Sequence, residues 1–406
     1  MTHYITRLLE PKILESSSHF PVILVTGPRQ TGKTTLLQEI KEEGRHYVSL
    51  DSMPARILAR EDPELFLQRY APPVIIDEIQ YAPELLSAIK ISCDTRRENG
   101  MYWLTGSQQF ELMRGVTESL AGRVAIVTLN GLSSREIDGR SDDTAPFLPP
   151  LLQPKQSASV FDETLLFERI FRGSYPALVS DTGMDTELYY SSYVQTYLER
   201  DIRELSQVGN LETFYTFLKV MAGRTGSTLN MSDIARDCAV SVPTVKQWIS
   251  LLCATSIVYL LRPWHSNHSS RLIKSPKFYF LDTGLCSYLA GYGSARTLSS
   301  GPLRGSIFET WCVSEILKSW WYALREPPAY YYRDKDGAEI DVLFDTDGSL
   351  YPVEIKLGAS PKKDWIKHFS VLDKAKRTIG PGAVLCLCQD VFPLDRNNSA
   401  NPVGWM

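Results

Sequence analysis

Lys33, Thr34, Asp77 and Glu78 are residue types that together could handle a nucleoside triphosphate. Lys33 and Thr34 fall near the end of the run Gly27-Pro28-Arg29-Gln30-Thr31-Gly32-Lys33-Thr34-Thr35, which follows the apolar stretch Val22-Ile23-Leu24-Val25. Gly27 and Gly32 let the backbone curl so that successive N–H groups face an anion. Lys33 adds a point charge for the outer phosphates, and Thr34 offers a hydroxyl to Mg²⁺. The helix expected from Thr35 onward aims its positive end at the same place. Further on, Pro73-Val74-Ile75-Ile76 reads as a buried strand that ends in Asp77-Glu78. Asp77 would hold Mg²⁺, directly or through water, and Glu78 would orient or polarise an attacking water. The acidic pair favours hydrolysis over storage of nucleotide. The chain carries no Asn-Lys-x-Asp guanine-reading motif, so ATP is preferred to GTP.

A third apolar strand, Met101 to Thr105, runs into Gly106-Ser107-Gln108, where Ser107 or Gln108 would meet the γ-phosphate or the water. Arg123 ends Ser119-Leu120-Ala121-Gly122-Arg123. It is either an arginine finger, stabilising transition-state charge, or an ordinary cation at a helix C-terminus.

A second constellation lies near the other end. Glu309 sits in the helical run Phe308 to Leu317, Asp341 in the strand Ala338 to Phe344, and Glu354 and Lys356 in the strand Leu350 to Leu357. Strand side chains alternate, so Glu354 and Lys356 share one face. The set resembles the core of the PD-(D/E)XK nuclease fold. That resemblance implies carboxylates of Glu309, Asp341 and Glu354 holding Mg²⁺, with Lys356 steadying a water. The proline often found before the first aspartate is replaced by Ile340. The other reading is a fold relic whose acids are solvated or paired with lysine.

These residues need elements to position them. Residues 1–137 alternate strand and helix patterns, as a P-loop domain should. A Pro-, Ser- and Asp-rich linker follows at 138–160, expected to be mobile or extended. Residues 161–212 turn helical, with Tyr190, Tyr193 and Tyr197 on one face, read as core packing. Across 213–300 the order of two Ser-capped helices and a strand suggests a winged helix, with Thr244, Lys246 and Gln247 on its reading face. Arg262, Arg271, Lys274 and Lys277 follow without an acid among them and could touch phosphates. The alternative is a winged helix used only for packing. Residues 301–395 form the nuclease-like domain, whose helix from Lys362 to Arg377 would bury Trp365, Phe369 and Leu372; 396–406 reads as a tail.

The chain has 406 residues, 43% hydrophobic and 22% charged, with net charge −4. This is an ordinary soluble composition, and any nucleic-acid surface must be local. No apolar run is long enough for a bilayer, and the N-terminus does not read as a signal peptide. The 7 Cys are scattered and the 6 His show no zinc spacing with them. A reduced, cytoplasmic protein is the expectation.

Taken together, the chain resembles the prokaryotic AAA+/STAND-related ATPases that carry a C-terminal domain of unknown function. The resemblance rests on the phosphate loop, Ile76-Asp77-Glu78-Ile79-Gln80, Leu104-Thr105-Gly106-Ser107-Gln108 and Ser119 to Arg123. It also rests on Tyr197-Leu198-Glu199-Arg200-Asp201-Ile202, Phe280-Leu281-Asp282-Thr283-Gly284-Leu285 and Glu339-Ile340-Asp341. It implies an α/β fold: a P-loop AAA+-like parallel-sheet ATPase domain, a helical and winged-helix middle, and an α/β restriction-endonuclease-like C-terminal domain. The residues and this reading together give ATP and Mg²⁺ as expected cofactors, DNA as an expected partner, a homo-oligomer as the expected state, and no membrane partner.

Overall fold

A computed structural model describes residues 4–106, 115–116, 118–150, 161–198, 211–265 and 275–406. Its first unit is a parallel sheet of β1 (Val22–Thr26), β2 (His46–Ser49), β3 (Val74–Asp77), β4 (Tyr102–Thr105) and β5 (Val124–Thr128), in the order β2-β3-β4-β1-β5. The inner strands β1, β3 and β4 are buried along their full length, as expected where helices cover both faces. The edge strands β2 and β5 are partly exposed. Because β4 lies between β1 and β3, the phosphate loop and Asp77 leave the same carboxyl ends with one strand between them, and ligands bind outside such ends.

The middle segment is helical. Met231–Asp237 and Val242–Ala254 form a helix pair, and the second helix buries Val245, Trp248, Ile249, Leu251 and Leu252. Ser241 caps the second helix, but the first is capped by Asn230, not by the serine expected from the sequence. The antiparallel hairpin β6 (Val258–Leu261) and β7 (Lys277–Phe280) follows. Tyr190 and Tyr193 are buried, as the aromatic stripe implied; the Tyr197 side chain and residues 199–210 lie outside the described residues.

The C-terminal unit is a mixed sheet. Strands β8 (Ala329–Arg333), β9 (Glu339–Thr346) and β10 (Ser349–Ile355) form an antiparallel meander. The short β11 (Thr378–Ile379) and the longer β12 (Gly382–Cys386) pair parallel to β10. The sheet ends with β13 (Phe392–Pro393) and β14 (Asn398–Pro402). Residues 396–406 are therefore no tail: β14 lies parallel to β12, and Val403, Trp405 and Met406 are buried. The helix expected from Lys362 is a 3₁₀ helix, Lys363–Ala375. Three residues per turn bring Ile366, Phe369 and Leu372 into line, so Ile366 takes the buried place assigned to Trp365.

One apolar core runs from Phe147 through the middle helices to Met406, so the middle and C-terminal segments are packed together. The long helix Arg304–Trp321 is its axis. The 138–150 part of the expected linker is docked on that helix: Phe147 N–H donates to Ser319 Oγ at 2.9 Å, and Trp320 Nε1 donates to Phe147 O at 2.9 Å. Arg140 reaches Gly404 O at 3.0 Å. Among the described residues no helix is long and apolar enough to cross a membrane.

The same helix reaches the first unit through buried charges. Glu315 accepts from Ser134 N–H at 2.7 Å and from Lys318 Nζ at 2.7 Å, while Lys318 also donates to Leu132 O at 2.9 Å. Removing one partner of such a pair strands the other charge at about 3–5 kcal/mol, whereas an apolar replacement of both can be near neutral. Glu315→Ala is expected to lower the denaturation midpoint strongly, and Glu315→Met with Lys318→Met to recover most of the loss, measured by thermal and urea unfolding.

Candidate functional site

The phosphate loop owes its course to two glycines. Gly27 has φ 137°, and a Cβ there would stand 2.1 Å from Leu129 O. Gly32, at φ 86°, begins the helix Lys33–Ile40 from a left-handed conformation. Gln30 is also at positive φ. Lys33 is buried, its ammonium folded onto the carbonyls of Gly27 at 3.1 Å and Pro28 at 2.8 Å. Thr31 closes the curl by donating to Pro28 O at 2.9 Å.

Asp77 gathers the neighbouring strands. Thr34 Oγ1 donates to Asp77 Oδ1 at 2.7 Å, Thr105 Oγ1 donates to the same oxygen, and Tyr47 Oη donates to Asp77 Oδ2 at 3.0 Å. Burial, followed by the Asp77 charge, pushes the Tyr47 hydroxyl up to about 12, so it stays a neutral donor. Glu78 follows at φ 59° and ψ 48°, a left-handed conformation that costs energy for a side-chain-bearing residue. Its N–H donates to Thr105 Oγ1 at 3.1 Å, and its carboxylate accepts from the Gln80 amide. Thr34, Asp77 and Glu78 are thus brought together, with Lys33 beside them on the loop. Ser107 and Gln108 lie outside the described residues.

Thr105 and Tyr47 escaped the sequence reading. Thr105 is the last residue of β4, so the strand ending itself was its signal. Tyr47 carried no signal, because its approach depends on β2 lying beside β3. Arg7 was missed as well. It is buried, 3% exposed, and donates to Glu136 Oε1 at 2.9 Å, Thr31 O at 3.0 Å, Asn130 O at 2.9 Å and Tyr322 Oη at 3.3 Å. Beside it opens a cavity of about 260 Å³, walled by Tyr4, Ile5, Thr31, Thr35, Pro176 and Ala177. A cavity of about 450 Å³ around Arg45 and Trp103 opens at the amino ends of the strands, away from these groups.

Arg123 is not near the phosphate loop of its own chain. It precedes β5 at the amino end of the sheet and makes a paired contact to Asp94, 2.6 Å from Nε and 3.0 Å from Nη2. The loop leaves the other end of the adjacent β1, roughly 16 Å away at about 3.3 Å per residue.

The C-terminal acids cluster, but lysines stand among them. The β9–β10 register pairs Val342 with Val353, which sets Asp341 beside Glu354. Lys277 Nζ lies 3.1 Å from Glu309 Oε1 and 4.0 Å from Asp341 Oδ1, and is paired with Glu339. Lys356 is paired with Glu354 and lies 3.8 Å from Asp341 Oδ2. Burial, then the Asp341 charge, pushes the Glu354 carboxyl up to about 8, and the same two causes raise Glu309. Glu309, Asp341 and Glu354, expected to hold Mg²⁺, thus lie in one cluster with Lys277 and Lys356 among them, and as folded no group of three His, Cys, Asp or Glu side chains among the described residues is set to hold a metal ion. The reading of Lys277 as a phosphate contact is corrected. It is buried, 4% exposed, among acids and does not face phosphates; Arg271 and Lys274 lie outside the described residues.

Residues 19–138 match the family described as an AAA domain, while 163–296 and 304–406 each match a family described as a domain of unknown function. An uncharacterized protein of Mycobacterium tuberculosis is 28% identical over 342 residues, covering 84% of this chain and 71% of that protein. One of Mycobacterium bovis matches with the same figures, 28%, 84% and 71%. Among solved structures, RuvB of Thermotoga maritima shares 14% identity over 62% of this chain and 86% of its own, at a TM-score of 0.28. A STAND protein with a tetratricopeptide repeat sensor from Pyrococcus horikoshii shares 12% over 80% of this chain and 48% of its own, at 0.25. Scores this low do not establish a common overall structure. The family match and the sheet agree on the first third of the chain: it is a parallel-sheet domain resembling P-loop AAA+ ATPases, joined to a helical middle and a mixed-sheet C-terminal unit.

Proposed function

We propose that the chain binds ATP with Mg²⁺ at the loop Gly27-Pro28-Arg29-Gln30-Thr31-Gly32-Lys33-Thr34-Thr35 and hydrolyses it. The carrying observation is Asp77, which meets the Thr34 hydroxyl at 2.7 Å with Glu78 held next to it. A hydroxyl and a carboxylate in contact are the pair of oxygen donors that Mg²⁺ takes beside phosphates, so the residues present fit the ion. When bound, it would neutralise charge on the phosphate oxygens. Lys33 would turn from the Gly27 and Pro28 carbonyls to the outer phosphates. Glu78 would orient a water in line with the γ-phosphorus. As the water oxygen bonds to phosphorus and the bond to the ADP oxygen breaks, the water proton passes to Glu78. Thr105 and Tyr47 would hold Asp77 in place. The cavity beside Thr31 and Thr35 suits the nucleoside end, bounded by Tyr4 and Pro176.

Lys33→Ala should abolish tight ATP binding. Glu78→Gln should keep binding and lower turnover by about 100-fold or more, the range of a lost general base. Equal turnover in wild type and Glu78→Gln would remove the role given to Glu78.

Arg123 is proposed as a finger that acts on a neighbouring subunit. Its position at the amino end of the sheet supports this reading, since it faces away from its own loop. Mixing Arg123→Ala with Lys33→Ala subunits is then expected to restore part of the activity. No recovery, with specific activity constant on dilution, would mark a monomeric ATPase.

A second reading adds DNA. It is supported by the order of helix, turn, helix and hairpin, which suits a winged helix, and by Lys246, Gln247 and Arg262 lying exposed. Under it, double- or single-stranded DNA raises ATP turnover several-fold, with a steep fall as salt increases. Turnover indifferent to DNA would favour a nucleotide-switched adaptor.

A further inference from the structure

The likeness of Glu309, Asp341, Glu354 and Lys356 to a nuclease centre implies a divalent cation among the carboxylates. The residues present do not fit one. Lys277 and Tyr279 share a face of β7, and both turn to Glu309 Oε1, at 3.1 Å and 2.6 Å. The same ammonium meets Glu339 and lies 4.0 Å from Asp341 Oδ1. The other oxygen of Asp341 accepts the Ile355 N–H at 2.8 Å and lies 3.8 Å from Lys356 Nζ. A divalent ion bonded to Glu309 and Asp341 would sit against a buried like charge.

We propose that Lys277 is the resident cation of this centre. The β6–β7 hairpin of the middle segment delivers its ammonium to the place among Glu309, Glu339 and Asp341 that a metal would otherwise take. The centre as folded is a lysine-filled contact between the middle and C-terminal units, closed to divalent ions. Two backbone hydrogen bonds anchor the hairpin in this position. Trp264 N–H donates to Tyr331 O at 2.6 Å and Tyr331 N–H to Arg262 O at 3.0 Å, seating the chain after β6 on the edge strand β8.

Charge counting supplies the second observation. Four acidic groups, Glu309, Glu339, Asp341 and Glu354, face two ammonium groups, Lys277 and Lys356, and one guanidinium, that of Arg333, 3.8 Å from Glu339. Glu354, 5% exposed, keeps one buried oxygen, Oε2, without a hydrogen-bond partner. Acidic groups thus outnumber cations by one, and Glu354 retains a buried oxygen able to accept more. Lys277 is therefore the group that opposes a divalent ion. Removing its charge should turn the cluster into a site for one.

The test is Mn²⁺ binding by the nucleotide-free full chain, followed by calorimetry and by the electron paramagnetic resonance of free Mn²⁺. Asp341→Asn assigns the site. Wild type and Lys277→Arg should show no Mn²⁺ binding that Asp341→Asn removes. Lys277→Gln should gain a site at least about 10-fold tighter than any in wild type, lost again in Lys277→Gln with Asp341→Asn. Wild-type Mn²⁺ binding abolished by Asp341→Asn would overturn the proposal, as would a folded Lys277→Gln that binds no more tightly than wild type. Should Lys277→Gln fail to fold without metal, thermal unfolding of wild type decides. A Mn²⁺-induced rise in its midpoint that Asp341→Asn abolishes overturns the proposal, and equal midpoints with and without Mn²⁺ uphold it.

Discussion

The buried guanidinium of Arg7 is the interaction on which the arrangement of the nucleotide site depends. It holds Thr31 O in the phosphate loop, Asn130 O at the end of β5, the Glu136 carboxylate, and Tyr322 after the long helix. A planar fork with five N–H donors can meet several carbonyls and a carboxylate at once, which an ammonium on a flexible stem does not do with the same geometry. Glu136 in turn caps its own short helix in a box with Ser133 and accepts the Leu8 N–H at 2.9 Å. The loop is therefore preorganised by the N-terminal segment and the C-terminal unit as well as by its glycines.

This arrangement gives the phosphate loop a direct mechanical neighbour in the C-terminal unit. Tyr322 also donates to Gly131 O, and Gly131 leads into the Ser133–Glu136 turn and then to the Glu315–Lys318 pair. Asp282 forms a parallel joint in the middle segment. It accepts from Ser174 N–H and Oγ at 2.7 Å, from Tyr190 Oη at 2.8 Å, and from Leu285 N–H at 2.7 Å. Ser174 lies against Gly131, where a Cβ would stand 2.1 Å from Ser174 Oγ. These joints are directional hydrogen bonds, which tie the loop's surroundings to one geometry.

The C-terminal acids show the same economy with a different outcome. Their pattern along the chain resembles that of a metal-dependent nuclease, and a lysine from another segment, Lys277, is paired with Glu309 and Glu339 among them. Carboxylate spacing specifies where negative charge accumulates. What neutralises it depends on the nearest cation the fold supplies.

The sequence by itself determined the phosphate loop, Asp77 and Glu78, because their chemistry depends on local spacing: glycines where the backbone must curl, and an acid at the end of an apolar strand. It also determined the alternation of strands and helices that places these residues at carboxyl ends. Tertiary structure alone decided the rest. Tyr47 and Thr105 reach Asp77 through the order of strands in the sheet. Arg7 meets Tyr322 across a separation of 315 residues. Lys277 looked free because no acid lies in the run from Arg262 to Lys277, yet Glu309, 32 residues on, reaches it through packing of the long helix on β7. A motif is legible when its atoms are neighbours along the backbone, and side-chain partners brought together by packing are not.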